Sequence, residues 1–450
     1  MISSFKKRGL FILFVLCPLI GKGQSRDTLR VNLETALQVA LSDNPMIQIA
    51  DQEIKRVDYS KKEAWNGLIP TLSGAAQISK YALPAKMSMF GTVMDNPADY
   101  MGTANLSLSL PLVVPALWKS IQLTELQMQM ANEQARASKI SLRNEVTKAY
   151  YQILLAQDSY RTLRDGYELA KQNYEEALQR FNLGLAAEYD YISAEVQMQN
   201  LIPTISQVEN GIDQAKSYLK VLMGVELSIP LGVDGKLSDF ERYVSGTGNL
   251  KNVSLSNNSD LIQLEIQQQQ LQKQLQLQRT QRIPTLVGFG KYGYSGSATK
   301  DVDITLGGMP MHLNARKDMF SDGLLVGLQL NIPVFNGFTN NLKEKKIEIS
   351  AKMLKIQRGY VEDNLNLQVT VARANMEKAI EQKEACKKGI LLADKGYVIS
   401  QARYNNGMGT MLELRSASQA LTQAQLAYNQ AIADYLTAKA DLEKTLGNND

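Results

Sequence analysis

The sequence predicts an α+β membrane protein built from a duplicated helix–strand–strand–long helix–helix unit. Three observations carry this reading. Short motifs recur in the same order in both halves of the chain. Some segments alternate apolar and polar residues without error, as a half-wetted strand does. Two stretches hold a heptad of apolar positions for much longer than an ordinary globular helix.

The N-terminal segment stands apart from the fold. Lys6, Lys7 and Arg8 precede an apolar run from Leu10 to Ile20, and Gly21 and Gly23 place small residues before Gln24. That is the layout of a secretory signal peptide over residues 1–23. Its apolar core, about 11 residues, is short of the ~20 that a spanning helix needs. Cys17 invites lipid attachment, but Phe14 and Leu16 are poor residues for the positions before a lipidated cysteine. Removing the segment takes away Lys6, Lys7, Arg8 and Lys22, so the formal charge of +4 falls to about zero. A nucleic-acid surface is therefore not expected. Cys386 remains as a single thiol, which excludes an intramolecular disulfide. No later apolar run reaches the length of a membrane helix, so the mature chain is periplasmic, secreted or an outer-membrane β-barrel.

The duplication is legible in four pairs. Ile69-Pro70-Thr71-Leu72 recurs as Ile283-Pro284-Thr285-Leu286, and Leu110-Pro111-Leu112 as Ile332-Pro333-Val334. Arg180-Phe181-Asn182-Leu183-Gly184 recurs as Arg403-Tyr404-Asn405-Asn406-Gly407, and Leu222-Met223-Gly224 as Thr445-Leu446-Gly447. The offsets are 214, 222, 223 and 223, with the drift falling in a loop between strands. The repeats span 24–224 and 253–450, separated by a Gly/Ser-rich linker at 225–252. A first helix is expected over 31–67.

Strands are expected at about 71–82 and 103–114 in the first repeat, and at 285–298 and 322–334 in the second. Asn105 to Leu110 alternates strictly, and Leu324, Val326, Leu328, Leu330 and Ile332 share one face against Gly327, Gln329 and Asn331. Tyr292 and Tyr294 suit a membrane interface. The long helix, about 117–182, carries a seam at Leu142, Val146, Ala149, Ile153, Ala156, Tyr160, Leu163, Tyr167, Ala170, Tyr174, Ala177 and Phe181. Its steps alternate between four and three, a heptad pattern. The second long helix, about 338–404, repeats the seam with Lys383 and Ser400 interrupting. Each long helix is ~100 Å at 1.5 Å per residue. The two shorter helices of a repeat add up to nearly that length, so they are expected to stack end to end beside it. Four strands cannot close a barrel, and an open edge cannot face lipid. The chain must therefore assemble.

This order, duplicated over about 30–447, resembles the outer-membrane efflux protein family. The resemblance implies a homotrimer with a 12-stranded β-barrel on a long α-helical periplasmic barrel. It further implies docking to a periplasmic adapter and an inner-membrane transporter of the RND, ABC or MFS type. Such a chain serves as the exit duct of a tripartite efflux pump or a type I secretion system. The turn motifs Arg180, Phe181, Asn182, Gly184 with Asp190, and Arg403, Tyr404, Asn405, Gly407 with Glu413, resemble the family's periplasmic gate and adapter-docking tips. The resemblance pairs Tyr404 with Asp190 as a closed-state latch. Where the family places an arginine after the second glycine turn, this sequence has Gly409. Of two pore-lining acidic positions, one is Glu413 and the other is Ser416. A Glu413 ring at the pore mouth and an ordinary helix-start carboxylate are both open readings.

Other function classes find little support. The loops at 82–103 and 299–321 hold Met87, Met89, Met94, Met101, Met309, Met311 and Met319 with His312, but the spacing is irregular and no cysteine joins them, so no metal site is expected. No nucleophile elbow, phosphate loop or ligand cluster points to an enzyme or a cofactor. The competing class is a surface or periplasmic structural coiled coil without transport. The paired amphipathic strands, inserted at matching places in both repeats, argue against it.

Overall fold

The computed structural model describes residues 28–83, 86–89, 92–95, 98–244, 254–306, 309–315 and 319–448. The expected signal peptide at 1–23, Cys17 included, lies outside them. In chain order the elements are β1 (Leu29–Val31), α1 (Leu33–Asp43), α2 (Pro45–Asn66), β2 (Thr71–Lys80), β3 (Lys86–Met89), β4 (Thr92–Asp95), β5 (Ala98–Val113), α3 (Pro115–Asn182) and α4 (Glu188–Met223). There follow β6 (Leu231–Val233), a 3-10 helix (Leu237–Tyr243), α5 (Ser259–Thr280), β7 (Thr285–Thr299), β8 (Val302–Leu306), β9 (Met309–Leu313), β10 (Met319–Asn331), α6 (Thr339–Asn405) and α7 (Met411–Leu446).

Four strands form one antiparallel sheet in the order β10-β7-β5-β2, leaving β10 and β2 as open edges. The registers gather the alternating residues into one apolar face. Leu72 lies opposite Leu108, Leu108 opposite Gly290, and Gly290 opposite Val326. Leu106, Tyr292 and Leu324 form the next row on that face. Ser73, Ser107, Lys291 and Leu325 share the reverse face. Tyr294 stacks on Phe320 with ring centroids 5.7 Å apart, and the Tyr292 hydroxyl donates to Asp322 at 3.1 Å, so aromatics gather toward one end of the band. Among the described residues no helix is long and apolar enough to cross a membrane.

The loops expected between paired strands carry structure of their own. Each holds a short antiparallel hairpin, β3–β4 and β8–β9. The β8–β9 hairpin sets His312 opposite Asp303, and the imidazole pKa is raised by that hydrogen bond. Within such short hairpins neither repeat shows a long alternating run, which is why they read as loop.

The helices follow the strands. Packed side by side, the sheet-proximal halves run α2, α3, α5, α6, the same order as the strands they feed, β2, β5, β7, β10. Below, the order is α4, α3, α7, α6. α3 has 68 residues and α6 has 67, close to the expected spans. Their seams bury as the heptad requires: Val146, Ile153 and Ala177 are inaccessible, and Ala372, Met376 and Ala379 are buried in the second copy. Lys383 sits in the seam because its ammonium donates to the Val244 carbonyl at 2.9 Å, where the 3-10 helix ends, and pairs with Glu384 at 3.1 Å. Lys387 binds Glu241 of the same 3-10 helix at 2.9 Å, and Phe240 packs on Tyr151 with centroids 5.2 Å apart. The linker segment is thus strapped to the middle of the helical layer, where β6 also pairs with β1 in parallel.

One expectation needs correction. The helix predicted at 31–67 is two helices, α1 and α2, broken at Asn44-Pro45. Proline disfavours a helical residue before it and is well placed at the first helical position. The break is also a joint. Asn44 accepts from Met46 N at 2.7 Å, capping α2, and its amide donates to Leu222 O at 2.7 Å at the end of α4. Asn258 repeats this, capping α5 through Asp260 N at 2.9 Å and donating to Thr445 O of α7 at 2.8 Å. Both asparagines are buried. Gly224 and Gly447 end α4 and α7 at φ 68° and 72°, and a Cβ on them would lie 2.5 Å from Asp43 O and 2.0 Å from Asn257 O. The short helices therefore abut end to end through matched joints.

Asn44→Ala and Asn258→Ala each remove a helix cap and leave a buried carbonyl unpaired, at about 2 kcal/mol. Each is expected to lower the thermal midpoint of the purified protein, and Gly447→Ala to do so as well. An unchanged midpoint in all three would remove the joint from the account.

Candidate functional site at the helical tips

Each long helix ends in a tight turn away from the sheet. In the first, Gly184 N donates to Phe181 O and Leu185 N to Arg180 O, both at 2.8 Å. In the second, Gly407 N donates to Tyr404 O at 3.0 Å and Met408 N to Arg403 O at 2.8 Å. This is the paired bonding of a helix end that turns through a left-handed residue. Gly184 and Gly407 hold φ 71° and 72° and supply that residue. Asn182 and Asn405 are the last helical residues, not the turn residues themselves. Leu183, Leu185 and Met408 project into solvent at 73%, 74% and 66% exposure, so the tips are apolar. Glu188 and Asp190 lie in the first turn of α4, where they complement the helix dipole.

The two hairpins are tied by arginines. Arg180 donates from α3 to Tyr404 O at 3.1 Å and to Asn405 O at 2.9 Å, the final carbonyls of α6. Its guanidinium also lies 4.9 Å from the centre of the Tyr404 ring and is held by Glu176 at 3.2 Å. A cation on the negative end of a helix, with charge-assisted bonds and a ring face beneath it, is well stabilised. In the opposite sense, Arg415 of α7 donates to Ser193 Oγ of α4 at 3.1 Å. Arg403 turns back on its own hairpin, donating to Met408 O at 3.1 Å and lying 3.8 Å from Glu413. Glu413 in turn occupies the third position of α7, whose N-cap Thr410 accepts from Glu413 N at 3.2 Å. Glu413 is thus a helix-start carboxylate paired with arginine.

The expected bond between Tyr404 and Asp190 is not made within the chain. The Tyr404 hydroxyl is buried and has no hydrogen-bond partner. Burial pushes the phenol pKa up, and the nearby Asp190 carboxylate adds to the shift. About two turns higher, the Tyr397 hydroxyl and both side-chain polar atoms of Asn173 are likewise buried and unpaired. These groups line a small apolar cluster of Ala177, Ala194, Tyr397, Tyr404, Met411, Leu414 and Leu421, separate from the larger core around the helix joints. Gly409, standing where the family resemblance has arginine, is tightly enclosed. A Cβ there would lie 3.1 Å from Arg403 Cβ and 3.2 Å from Tyr404 N.

Sequence reasoning missed Glu176, Ser193 and Arg415. Arg415 does carry a signal, since it falls on the helical face of Ser418 and Thr422, toward α3 and α4. Nothing in the spacing marks Arg180 as crossing to the other repeat while its duplicate Arg403 stays at home.

Arg180→Ala is expected to lower stability by about 2 kcal/mol, because two charge-assisted bonds and a stacked cation are lost. Tyr404→Phe removes an unpaired buried hydroxyl and is expected to be neutral or stabilising. Thermal unfolding of both variants checks this, and a larger loss for Tyr404→Phe would restore the tyrosine bond.

The fold and the family are found among known proteins. The family model described as outer membrane efflux protein matches residues 36–225 and 250–448. The outer membrane protein TolC of Vibrio cholerae is 22% identical over 350 residues, 77% of this chain and 76% of that protein. The probable efflux pump outer membrane protein TtgC of Pseudomonas putida is 24% identical over 438 residues, 92% of this chain and 82% of that one. The fold matches the crystal structure of VceC from Vibrio cholerae with a TM-score of 0.72 at 15% identity, over 92% of this chain and 96% of that chain. With both repeats matched, this chain belongs to the outer membrane efflux protein family, channels of the Gram-negative outer membrane with a periplasmic extension.

Proposed function

We propose that three copies of this chain join edge to edge into a 12-stranded barrel continuous with a helical tube. The duct is the passive exit of a tripartite efflux pump or type I secretion system, gated at the periplasmic tips. The observation that carries this is the four-stranded sheet with an apolar face and two unpaired edges. In lipid those edges must be paired, and β10 of one copy and β2 of the next are the strands left to do it.

The helices support the same closure. α6 exposes Leu342, Ile349, Met353, Ile356, Tyr360 and Leu367 along its upper half, at heptad spacing. Across the gap, α2 exposes Met46, Ile49 and Tyr59. Each is the outer helix of its edge, so one copy's seam meets the next copy's α2.

At the far end, the tips take the roles of gate and dock. Leu185 and Met408 offer apolar contacts to the hairpins of a periplasmic adapter, which links the duct to an inner-membrane transporter of the RND, ABC or MFS type. Asp190 and Glu413, with Arg180, Phe181, Asn182, Gly184, Arg403, Tyr404, Asn405 and Gly407, make up the gate region.

Detergent-extracted protein tests the reading. Its mass is expected to be that of a trimer, and in planar bilayers it is expected to give discrete low conductance that rises when Arg180 is replaced by Ala. A monomer that forms no channels would overturn it.

A further inference from the structure

We infer that in the assembled protein Arg403 leaves its own turn and binds the end of α3 in the neighbouring copy, donating to the carbonyls of Phe181 and Asn182. This rests on the trimeric reading above and adds a specific contact between copies to it.

The 223-residue offset places Arg403 on Arg180, Tyr404 on Phe181 and Asn405 on Asn182. Within one chain the first-repeat arginine already makes the contact in question. Arg180 reaches from α3 past α7 to the last carbonyls of α6. The lower helices run α4, α3, α7, α6, and ring closure places the next copy's α4 and α3 beyond α6. A step of one repeat around the ring carries α3 onto α6, and α6 onto the neighbour's α3. The same step carries the Arg180 contact onto one from Arg403 to Phe181 O and Asn182 O across the copy boundary.

The acceptors are ready for it. Tyr404 O accepts from both Gly407 N and Arg180, using both lone pairs. Phe181 O accepts from Gly184 N in the same way, and among the described residues no side chain donates to it or to Asn182 O. Both carbonyls sit at the negative end of a 68-residue helix. Phe181 also offers a ring in the place of Tyr404, still 37% exposed in the single chain. The donor is free to move, since its side chain is half exposed and its hold on Met408 O is local. The repeats differ in what steadies the arginine. Ile399 stands where Glu176 steadies Arg180, and Glu413 serves Arg403 in its place. The tips of a closed ring would then carry alternating ties, one inside each copy and one between copies.

The test uses the full-length protein with Cys386→Ser, so that no native thiol remains in the mature chain. Arg403→Cys with Asn182→Cys is treated with a short thiol-to-thiol cross-linker, beside Arg180→Cys with Asn405→Cys. Native mass is measured before cross-linking. The expected result is a covalent ladder up to trimer for the first pair and monomers only for the second. Trimer by mass without a ladder for the first pair overturns the inference alone, whereas monomer by mass in the Cys386→Ser parent overturns the trimeric reading beneath it. As a second measurement, Arg403→Ala is expected to raise the closed-state conductance several-fold with Arg403→Lys between it and the parent. Equal conductance in all three also overturns the inference.

Discussion

Everything in this chain hangs on two helix-end joints. A long helix can be flanked along its whole length by two shorter ones only if their facing ends meet without leaving polar groups stranded. A helix leaves four amides unpaired where it begins and four carbonyls unpaired where it stops. Here one buried asparagine at each joint serves both sides, with its oxygen capping the helix that begins and its amide nitrogen satisfying the helix that stops. The glycine beside it removes the Cβ that would strike the opposing backbone. Because the joint occurs once per repeat, each repeat carries a strand pair at one end and a turn at the other.

The sheet and the tips then obey opposite demands. The sheet has an exposed apolar band, and its geometry is set by backbone pairing that tolerates little movement. The tips are held by few contacts, many of them polar. Their apolar cluster is small, and it encloses the unpaired hydroxyls of Tyr397 and Tyr404 and the unpaired amide of Asn173. Burying unpaired polar groups costs free energy, so the packed arrangement at the tips is less deeply stabilised than the core at the joints. On the proposed reading of the tips as a gate, such a region suits the part that opens.

Much of the fold was legible because it is periodic. The heptad seams, the alternating strands and the doubled motifs each report on a repeating geometry, and Val146, Ile153 and Ala177 lie buried where the period puts them. The α1–α2 break was missed, because Asn44-Pro45 sits inside an otherwise continuous helical pattern. The site was harder to read. Asp190 and Tyr404 lie near one another, yet the contacts that hold the hairpins come from Arg180 and Arg415, whose reach across helices depends on how four helices pack. Sequence shows that Arg180 and Arg403 are duplicates. Only the packing shows that the first crosses to the other repeat while the second stays on its own turn.

The most direct test of this division between rigid joint and yielding tip is amide hydrogen exchange along α6 and α7 of the assembled protein. The account predicts faster exchange at 397–405 and 411–421 than at 369–379 and 431–442 on the same helices. Uniform protection from joint to tip would contradict it.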